Sequence, residues 1–510
     1  MSSTTDRSKE TASGASKKTS AYNHVMKSTG LLGGVQAFYI LMSVVRNKLT
    51  AMLIGTAGIG LADLYCRSME LLGNTTNFGI AFSAVRRLSS LYEEGDPRAM
   101  AYYVRLVRTW TFLTALFGAL VCIAFSPLLS QLTTDSYDSI GSFCLLAPAV
   151  AFTTLAGGEI AILKGMRRLK HLALVSAAGA LATVLLTIPL YATLGMKGIL
   201  PVIVATTATT FLLNLRASTR LFPYRISPLR KHFLRQGGKM LRLGSAYIAA
   251  GIIGSATELL IRTIIVDADQ RYHSAGLYAA GLTLTVSYAR LIFVAMDADY
   301  FPRLSAAMKD QERTNTTNNQ QIDVLVLLMA PFLMIFAICL NWIVPLLYTS
   351  KFLGVIPMVL CALPYMFFKA IYSPIAYLPL AAGRSRLYLC AELMYYVAFA
   401  LAVVTGFKMG GLAGAGIGLS VANMVDLTVL PWLYGRLFGF RFIPSTLHRC
   451  LLHGILLLLA LAGCALFGIW GKLFSLCIFG LSTALALRFL LSETTFIEKI
   501  KGFTSRFKKK

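Results

Sequence analysis

Charged side chains stand inside several long apolar stretches of this sequence, and these residues are the best suited to chemistry. A charge at the centre of a membrane helix costs about 2.5–3.5 kcal/mol, so each one requires a partner or a role. Arginine suits phosphate because its planar guanidinium contacts two oxygens at once. The basic residues in such positions are Arg46, Lys48, Arg67, Arg262, Arg290 and Lys369. Spaced along one pathway, they would favour an anionic substrate whose charge must cross hydrocarbon.

Two interpretations of these basic residues remain open. Lys48 lies close to a helix end, where its stem can snorkel to the interface. Arg67 follows Asp63 by four residues, which allows an ion pair on one helix face. Snorkelling suits Arg46 and Arg262 less well, because they occupy matched places in two halves of the chain. We expect this pair to line a shared cavity.

Buried acids form a second set of candidates. Glu258, Glu392 and Asp426 cluster in the second half of the chain. They either neutralise nearby arginines or bind a Na⁺ ion or a proton that drives a conformational cycle, since carboxylate oxygens suit a hard cation. No other cofactor is expected, and the six scattered His residues predict no metal site.

The sequence lacks the motifs of several membrane enzymes and pumps. It contains no G-x-x-x-x-G-K-[ST] phosphate loop, no H-E-x-x-H zinc motif, and no Ser/His/Asp set in a large exposed loop. No loop outside the apolar stretches exceeds about 30 residues, which is too short for a catalytic domain. We therefore expect neither a primary pump nor an enzyme.

The elements that must position these residues are membrane helices. The 510 residues are 56% hydrophobic and 14% charged, with a mean hydropathy of +0.67. Apolar stretches of about 20 residues recur, each long enough to cross a bilayer as a helix. The predicted fold class is an all-α polytopic membrane protein. Fourteen transmembrane helices are predicted, over residues 29–54, 58–85, 104–128, 140–163, 171–193, 197–216, 244–267, 274–297, 322–347, 354–380, 387–407, 411–434, 450–469 and 473–491.

Basic residues are distributed unequally between the two ends of these helices. With the N-terminus placed inside, most of the 48 Lys and Arg fall in the tails and even-numbered loops, which predicts cytoplasmic N- and C-termini. The net charge of +26 would suit nucleic acid, but this placement favours anionic lipid instead. The odd-numbered loops hold only Lys197, Arg271, Lys351, Lys408 and Lys472.

The two halves of the chain match each other when the sequence is shifted by 216 residues. Arg46 then falls on Arg262, and Gly60 falls on Gly276. Each repeat holds six helices, an even number, so both repeats enter from the same side, as in transporters built from parallel repeats. Chance and shared helix-end chemistry are the alternative explanation. We predict two parallel six-helix repeats, forming two lobes, and two additional helices.

The repeat sets the predicted domain boundaries. A disordered cytoplasmic tail precedes the first lobe, and a basic cytoplasmic linker joins the lobes. The predicted segments are the tail 1–28, the N-lobe 29–217 with helices 1–6, the linker 218–243, the C-lobe 244–435 with helices 7–12, the additional helices 13–14 over 436–491, and a basic cytoplasmic tail 492–510.

The run from Arg46 through Gly60-Leu61 to Arg87-Leu88-Ser89 resembles the start of bacterial polysaccharide flippases of the O-antigen translocase type. The Pro-Leu-Leu sequences at 127 and 345 and the glycine turns at 165 and 383 fit the same pattern. These flippases belong to the multidrug/oligosaccharidyl-lipid/polysaccharide (MOP) exporter superfamily. The resemblance covers about residues 25–435 and implies a MATE-like two-lobe fold in a bacterial inner membrane.

The resemblance implies a flippase that moves undecaprenyl-diphosphate-linked oligosaccharide from the cytoplasmic to the periplasmic leaflet by alternating access. Basic residues on helices 1, 2, 7 and 8 would contact the diphosphate, which carries over to Arg46, Arg67, Arg262 and Arg290. Lys369 is added to this set because of its position inside an apolar stretch, and the resemblance does not imply it. The implied partners are the lipid-linked anionic oligosaccharide, membrane lipids and the polysaccharide polymerase machinery, with no nucleic acid.

Other functions stay open at this point. Fourteen helices is the count of the lipid II flippase of cell-wall synthesis, whereas many O-antigen flippases have twelve. A drug/cation antiporter of the same superfamily would use a cavity dominated by acidic and aromatic groups. A membrane glycosyltransferase would need a large periplasmic loop. A lipid-binding scaffold would tolerate leucine at Arg46 and Arg262.

Overall fold

The computed structural model describes residues 4–134, 137–226, 231–269, 272–287, 289–466 and 468–492. Every regular element in these ranges is helical, and no strand occurs among them. Helices are the expected result, because a segment in hydrocarbon must satisfy its backbone hydrogen bonds internally. The predicted all-α fold class is confirmed.

Within the described residues, seven α-helices lie before position 220. They are α1 (Thr4–Thr76), α2 (Ile80–Glu94), α3 (Pro97–Ala124), α4 (Ser126–Thr134), α5 (Ile140–Gly165), α6 (Leu169–Leu194) and α7 (Ile199–Thr219). Asp96 caps α3, because its carboxylate accepts the backbone N–H groups of Arg98 and Ala99 at 2.8 and 3.1 Å. A short 3₁₀ turn, Gly195–Gly198, joins α6 to α7.

Nine α-helices follow in the part of the chain that the structure describes. They are α8 (Lys231–Asp269), α9 (His273–Leu282), α10 (Arg290–Ala307), α11 (Gln311–Leu347), α12 (Ile356–Ala376), α13 (Leu378–Ala381), α14 (Ser385–Phe438), α15 (Pro444–Leu466) and α16 (Gly468–Ser492). A π-helical turn, Thr283–Ser287, separates α9 from α10, and a 3₁₀ turn, Ser350–Val355, precedes α12.

Ten helical stretches in the described ranges are long and apolar enough to cross a membrane. Three of them contain a break at a glycine with positive φ, at Gly55 (66°), Gly195 (55°) and Gly411 (56°). Glycine enters this backbone region without the penalty that a Cβ brings, so two helices can follow one another at each break. The positions of Gly195 and Gly411 differ by the predicted repeat length. The count of fourteen helices and the repeat itself stay predictions.

Three segments differ from their predicted form. The predicted disordered tail is helical from Thr4 onward, in a stretch that lacks proline and contains one glycine, Gly14. Helix α8 begins at Lys231, inside the predicted linker. Predicted helix 8, over 274–297, is divided into α9 and α10 by the π-helical turn, and neither piece is among the stretches that are long and apolar enough to cross a membrane.

The chain divides into two compact units. Unit 1 comprises Met1–Ile54 and Ser68–Ile248, and unit 2 comprises Gly55–Arg67 and Ala249–Lys510. The division at Ile248 lies close to the predicted end of the linker. Segment Gly55–Arg67 is the main difference, because the prediction assigned it to the N-lobe whereas it packs within unit 2.

In unit 1, α5 is the central helix and packs against α2, α3 and α7. Leu88, Val104 and Ile162 belong to its apolar core and are fully buried. Burying such side chains contributes roughly 1.5–3 kcal/mol each on transfer from water, and close packing fixes their geometry in lipid as well. This core holds α3 and α5 in fixed positions, and these two helices also carry buried polar residues of unit 1.

In unit 2, α12 packs against α11 and α14, and α15 and α16 both pack against α11. Their buried apolar side chains include Leu325, Met366 and Leu419. The two additional helices predicted at 436–491 therefore belong to the packed body of unit 2. Helix α11 contacts them through a polar face.

Candidate functional site

Arg262 on α8 is the most deeply buried charge of unit 2, with 1% of its surface exposed. Its Nε donates to Oδ2 of Asp63, and its Nη1 donates to Oε2 of Glu258. Nη1 also donates to the backbone carbonyl of Glu258 at 2.9 Å. Two carboxylates therefore satisfy one guanidinium, as a buried charge requires.

Two further side chains complete this Arg262 cluster. Arg67 donates from Nε to Oδ1 of Asp63 at 3.4 Å, so Asp63 accepts from both arginines. The ring of Tyr278 on α9 lies 5.5 Å from the guanidinium carbon of Arg262, within the range of a cation–π contact. Because it contains two arginines and two acids, the cluster has formal charge zero when all four are ionised.

Segment Gly55–Arg67, which carries Asp63 and Arg67, approaches α9 at backbone distance. A Cβ on Gly276 would overlap the carbonyl oxygen of Thr56, and a Cβ on Gly60 would overlap that of Tyr272. Oγ1 of Thr56 lies 2.6 Å from Nδ1 of His273. Gly60 and Gly276 are the glycines matched by the predicted repeat, and their lack of a side chain lets Asp63 reach Arg262.

A second group of charges in unit 2 joins Lys369 on α12 to Glu392 and Asp426 on α14. Asp426 is 3% exposed, and its Oδ1 has no hydrogen-bond partner among the described residues. Its charged neighbours are Glu392 and Lys369. A buried carboxylate with an unfilled acceptor can bind a cation or a proton.

Aromatic rings surround this Asp426 group. Nζ of Lys369 lies 5.8 Å from the ring centre of Tyr365 and 6.0 Å from that of Phe293. The hydroxyl of Tyr388 donates to Glu392. Lys369 thus lies against two aromatic rings and beside the carboxylate of Asp426.

The structure separates the predicted cation-binding acids. It brings Glu392 and Asp426 together, but it places Glu258 against Arg262. Arg46 lies in unit 1, where it is exposed and lines a cavity beside α6 and α7. The side chain of Arg290, at the first residue of α10, lies outside the described part of the structure. The roles of all these residues stay predictions.

Arg108 is a buried charge that the sequence prediction missed. It is 2% exposed and binds both oxygens of Glu159, at 3.0 and 3.1 Å. It also donates to the carbonyls of Phe222 and Pro223 at 3.1 and 2.9 Å. The signal was an arginine inside the apolar stretch predicted as helix 3. Its role is structural, because it fastens the chain after α7 to α3 and α5.

Solved structures of transporters share this fold over most of their length. The lipid II flippase MurJ in an inward closed conformation aligns with a TM-score of 0.68 at 14% identity, over 90% of this chain and 99% of that one. An inward-facing multidrug resistance MATE family transporter aligns with a TM-score of 0.61 at 15% identity, over 79% and 94%. A MOP superfamily transporter from Pyrococcus furiosus aligns at 0.55 and 16% identity, over 80% and 92%.

These alignments define the class: a multi-pass membrane protein with the fold of the MOP superfamily transporters. Residues 92–357, just over half of the chain, match the family described as polysaccharide biosynthesis protein. The chain belongs to that family, which confirms the resemblance found in its sequence. Sequence comparison finds no significant match among curated proteins.

Proposed function

We propose that this protein is a flippase for an undecaprenyl-diphosphate-linked oligosaccharide, the repeat unit of O-antigen or of another surface polysaccharide. It moves this substrate from the cytoplasmic to the periplasmic leaflet of a bacterial inner membrane by alternating access, with both termini in the cytoplasm. It catalyses no covalent step, and its product passes to the polysaccharide polymerase machinery. Family membership and the MOP fold support this function.

The single observation that carries the proposal is the pairing of Arg262. Asp63 and Glu258 are both bound to Arg262, so the two acids of the cluster are not available to a cationic drug. A diphosphate with about two negative charges can replace these two carboxylates without changing the charge balance of the arginine. The carboxylates therefore hold Arg262 between substrates, and exchange of partners accompanies each cycle.

The remaining basic residues extend this anion path. Arg67 shares Asp63 with Arg262 and is released together with it. Arg46 in unit 1, Arg290 on α10 and Lys369 on α12 bind the diphosphate at other stages of its passage. Membrane lipids fill the surroundings of the helices, and the basic cytoplasmic loops hold the protein against anionic headgroups.

Coupling to an ion gradient is assigned to the Asp426 group, with Na⁺ or a proton as the ion. The unfilled Oδ1 of Asp426 and the neighbouring Glu392 supply carboxylate oxygens for either. Lys369 opposes cation binding while it remains near Asp426. When substrate phosphate attracts Lys369 away, the acids become free to bind the cation, which links the two events.

The direct test replaces Arg262 with Ala and with Lys in a strain that lacks the native protein, and measures surface polysaccharide. We expect Arg262→Ala to lower export at least about tenfold, because it removes a buried charge-assisted contact. Arg262→Lys keeps the charge but loses the paired donors and should restore only part of the activity. Arg313→Ala, at an exposed position of α11, is the control. Wild-type export from a well-expressed Arg262→Ala variant would contradict the proposal.

A second candidate function rests on the Asp426 group. A buried, unfilled carboxylate among tyrosine rings is also what a drug/cation antiporter would use. Such an antiporter would confer resistance to ethidium that Asp426→Asn abolishes. The lipid II flippase alternative differs in substrate only. It predicts rescue of cells depleted of their own lipid II flippase, which the surface-polysaccharide proposal does not.

A further inference from the structure

Unit 1 contains a cavity of about 220 Å³ lined by residues of α1, α5, α6 and α7, with both polar and apolar side chains in its wall. A cavity of this size can admit a group as large as one sugar ring. Arg46 is the charged residue in its wall. The polar uncharged side chains of the wall are those of Tyr39, Ser43, Ser176, Thr183, Thr210 and Asn214.

Hydrogen bonds within the helices leave this wall rich in acceptors. The hydroxyl of Thr183 donates to the carbonyl of Gly179 at 2.8 Å, and that of Thr210 donates to the carbonyl of Thr206 at 2.8 Å. Each hydroxyl oxygen retains lone pairs for a ligand. Because the hydroxyl donors of Thr183 and Thr210 are used inside the helices, these two residues offer acceptors to a ligand.

Asn214 likewise has a donor that is used within its helix and an acceptor that is not used. Its Nδ2 donates to the carbonyl of Thr210 at 2.8 Å, whereas its Oδ1 has no hydrogen-bond partner among the described residues. The residue is 4% exposed, and an unmet buried acceptor costs about 1–3 kcal/mol. The Oδ1 atom is covered in this conformation, so the amide must turn toward the cavity for a ligand to donate to it and recover this energy.

The charge of the cavity narrows the class of ligand. No carboxylate lines it in the part of the chain that the structure describes, and Arg46 disfavours an amine or another cation. A ligand must therefore combine several hydroxyl donors with an adjacent anion. Hydroxyl-rich sugars attached to phosphate have this combination, and the apolar wall residues Met42 and Leu213 can contact the C–H face of a ring.

We propose that this cavity of unit 1 binds the sugar ring attached directly to the diphosphate. Thr183, Thr210 and Asn214 accept hydrogen bonds from the hydroxyl groups of the ring, and Arg46 contacts the adjoining phosphate. This inference rests on the proposed flippase function and adds to it a subsite that recognises the first sugar of the substrate. The residues of α6 and α7 then contribute to substrate choice, while the arginines contribute to affinity for any prenyl diphosphate.

The test compares two probes that differ only in the sugar: farnesyl diphosphate and farnesyl-diphosphate-linked N-acetylglucosamine. Dissociation constants are measured with the full chain in lipid nanodiscs. We expect the wild type to bind the sugar-bearing probe more tightly, and Asn214→Leu to reduce this advantage about fivefold, as expected for one neutral hydrogen bond. Arg46→Ala should weaken binding of both probes by similar factors.

Two controls separate recognition from folding. Thr193→Val alters a threonine on α6 that also donates to the carbonyl four residues earlier but lies at an exposed position, so it should leave both dissociation constants unchanged, whereas Thr183→Val reduces the sugar advantage. Asn214→Leu should not lower the thermal midpoint, because it removes an unmet buried acceptor.

The outcomes distinguish this subsite from the general function. Equal binding of the two probes by the wild type, or equal weakening of both by Asn214→Leu, would overturn the sugar subsite while leaving the flippase function in place. Binding of neither probe would overturn both. Preference for an organic cation such as ethidium in this cavity, lost in Asn214→Leu, would replace the sugar with a drug-like ligand.

Discussion

Buried arginines in this protein have two different environments, and the difference indicates two different roles. Arg108 makes five hydrogen bonds, to Glu159, to Ser218 and to the backbone carbonyls of Phe222 and Pro223. These protein groups satisfy its guanidinium, so its burial needs no substrate to explain it. Arg262 is held chiefly by two carboxylates, which we propose an anionic substrate replaces. A fully satisfied arginine stabilises the fold, whereas an exchangeable one can serve a substrate.

The first prediction concerns the structural arginine. Arg108→Ala leaves Glu159 as an uncompensated buried charge, so we expect a loss of about 3–5 kcal/mol in stability, or loss of folded protein. Thermal unfolding in detergent measures the effect. The double variant Arg108→Met with Glu159→Leu should recover much of the loss because no charge remains buried. Equal stabilities for the wild type and the single variant would show that the pair contributes nothing.

Sequence spacing could predict only part of this chemistry. It placed Asp63 and Arg67 on one helix face, because four residues make one turn. It could not pair Asp63 with Arg262, since these residues are 199 positions apart and only the folded chain brings them together. Arg46 and Arg262 were paired with each other because of the repeat, and the structure gives them unlike surroundings, one exposed and one buried.

At the scale of elements, one face of α11 holds the last two helices in place. Gln311, Asn315, Asn319 and Asp323 recur every four residues and therefore share a face. Asn319 donates to the carbonyl of Arg441 at 3.0 Å and accepts the backbone N–H of Ile443 at 2.9 Å. Asp323 accepts from Arg449 of α15 at 2.8 and 2.5 Å. This polar face binds the turn between α14 and α15.

The second prediction follows from that face. Asn319→Leu removes both hydrogen bonds to the turn and leaves its backbone groups unmet, so we expect a loss of about 1–3 kcal/mol. Protease cleavage between residues 439 and 443 should become faster, and the thermal midpoint should fall. Thr316→Val, on the exposed side of α11, should change neither. Unchanged cleavage in Asn319→Leu would mean that apolar packing alone secures α15 and α16.

Helix type was predictable from composition, whereas helix boundaries were less so. Apolar stretches fixed where α3, α5 and α12 lie, because hydrocarbon leaves few alternatives to a helix. The π-helical turn at Thr283–Ser287 has no glycine or proline to mark it, so the sequence predicted one continuous helix there. The sequence did not show what holds the two additional helices in place, because the polar residues of α11 are equally typical of the end of a helix.

At the scale of the whole molecule, the proposed function couples substrate binding to an ion gradient in one cycle. In this proposal the Asp426 group supplies both a basic residue for the substrate, Lys369, and acids for the ion, Glu392 and Asp426, which are charged neighbours in the structure. Substrate can alter ion affinity there through Lys369, and the ion can alter substrate affinity by the same factor. Coupling of this kind between the substrate and the ion needs no separate regulatory domain.

The third prediction tests this coupling. Asp426→Asn and Glu392→Gln remove a carboxylate charge with little change in shape. Asp426→Asn should abolish the dependence of transport on the Na⁺ or proton gradient, and Glu392→Gln should weaken or abolish it, while both leave diphosphate binding within about threefold. Glu312→Gln, an exposed acid at the start of α11, is the matched control. Gradient-dependent transport in the Asp426→Asn variant would exclude this site as the coupling site.

The most direct measurement reconstitutes the purified protein in liposomes that carry an undecaprenyl-diphosphate-linked oligosaccharide on one leaflet, and follows the appearance of the sugar on the other leaflet with an impermeant lectin. The account predicts rapid transfer by the wild type and by Arg313→Ala, and transfer close to that of protein-free liposomes by Arg262→Ala. Wild-type transfer no faster than in protein-free liposomes, or equal transfer by Arg262→Ala, would contradict it.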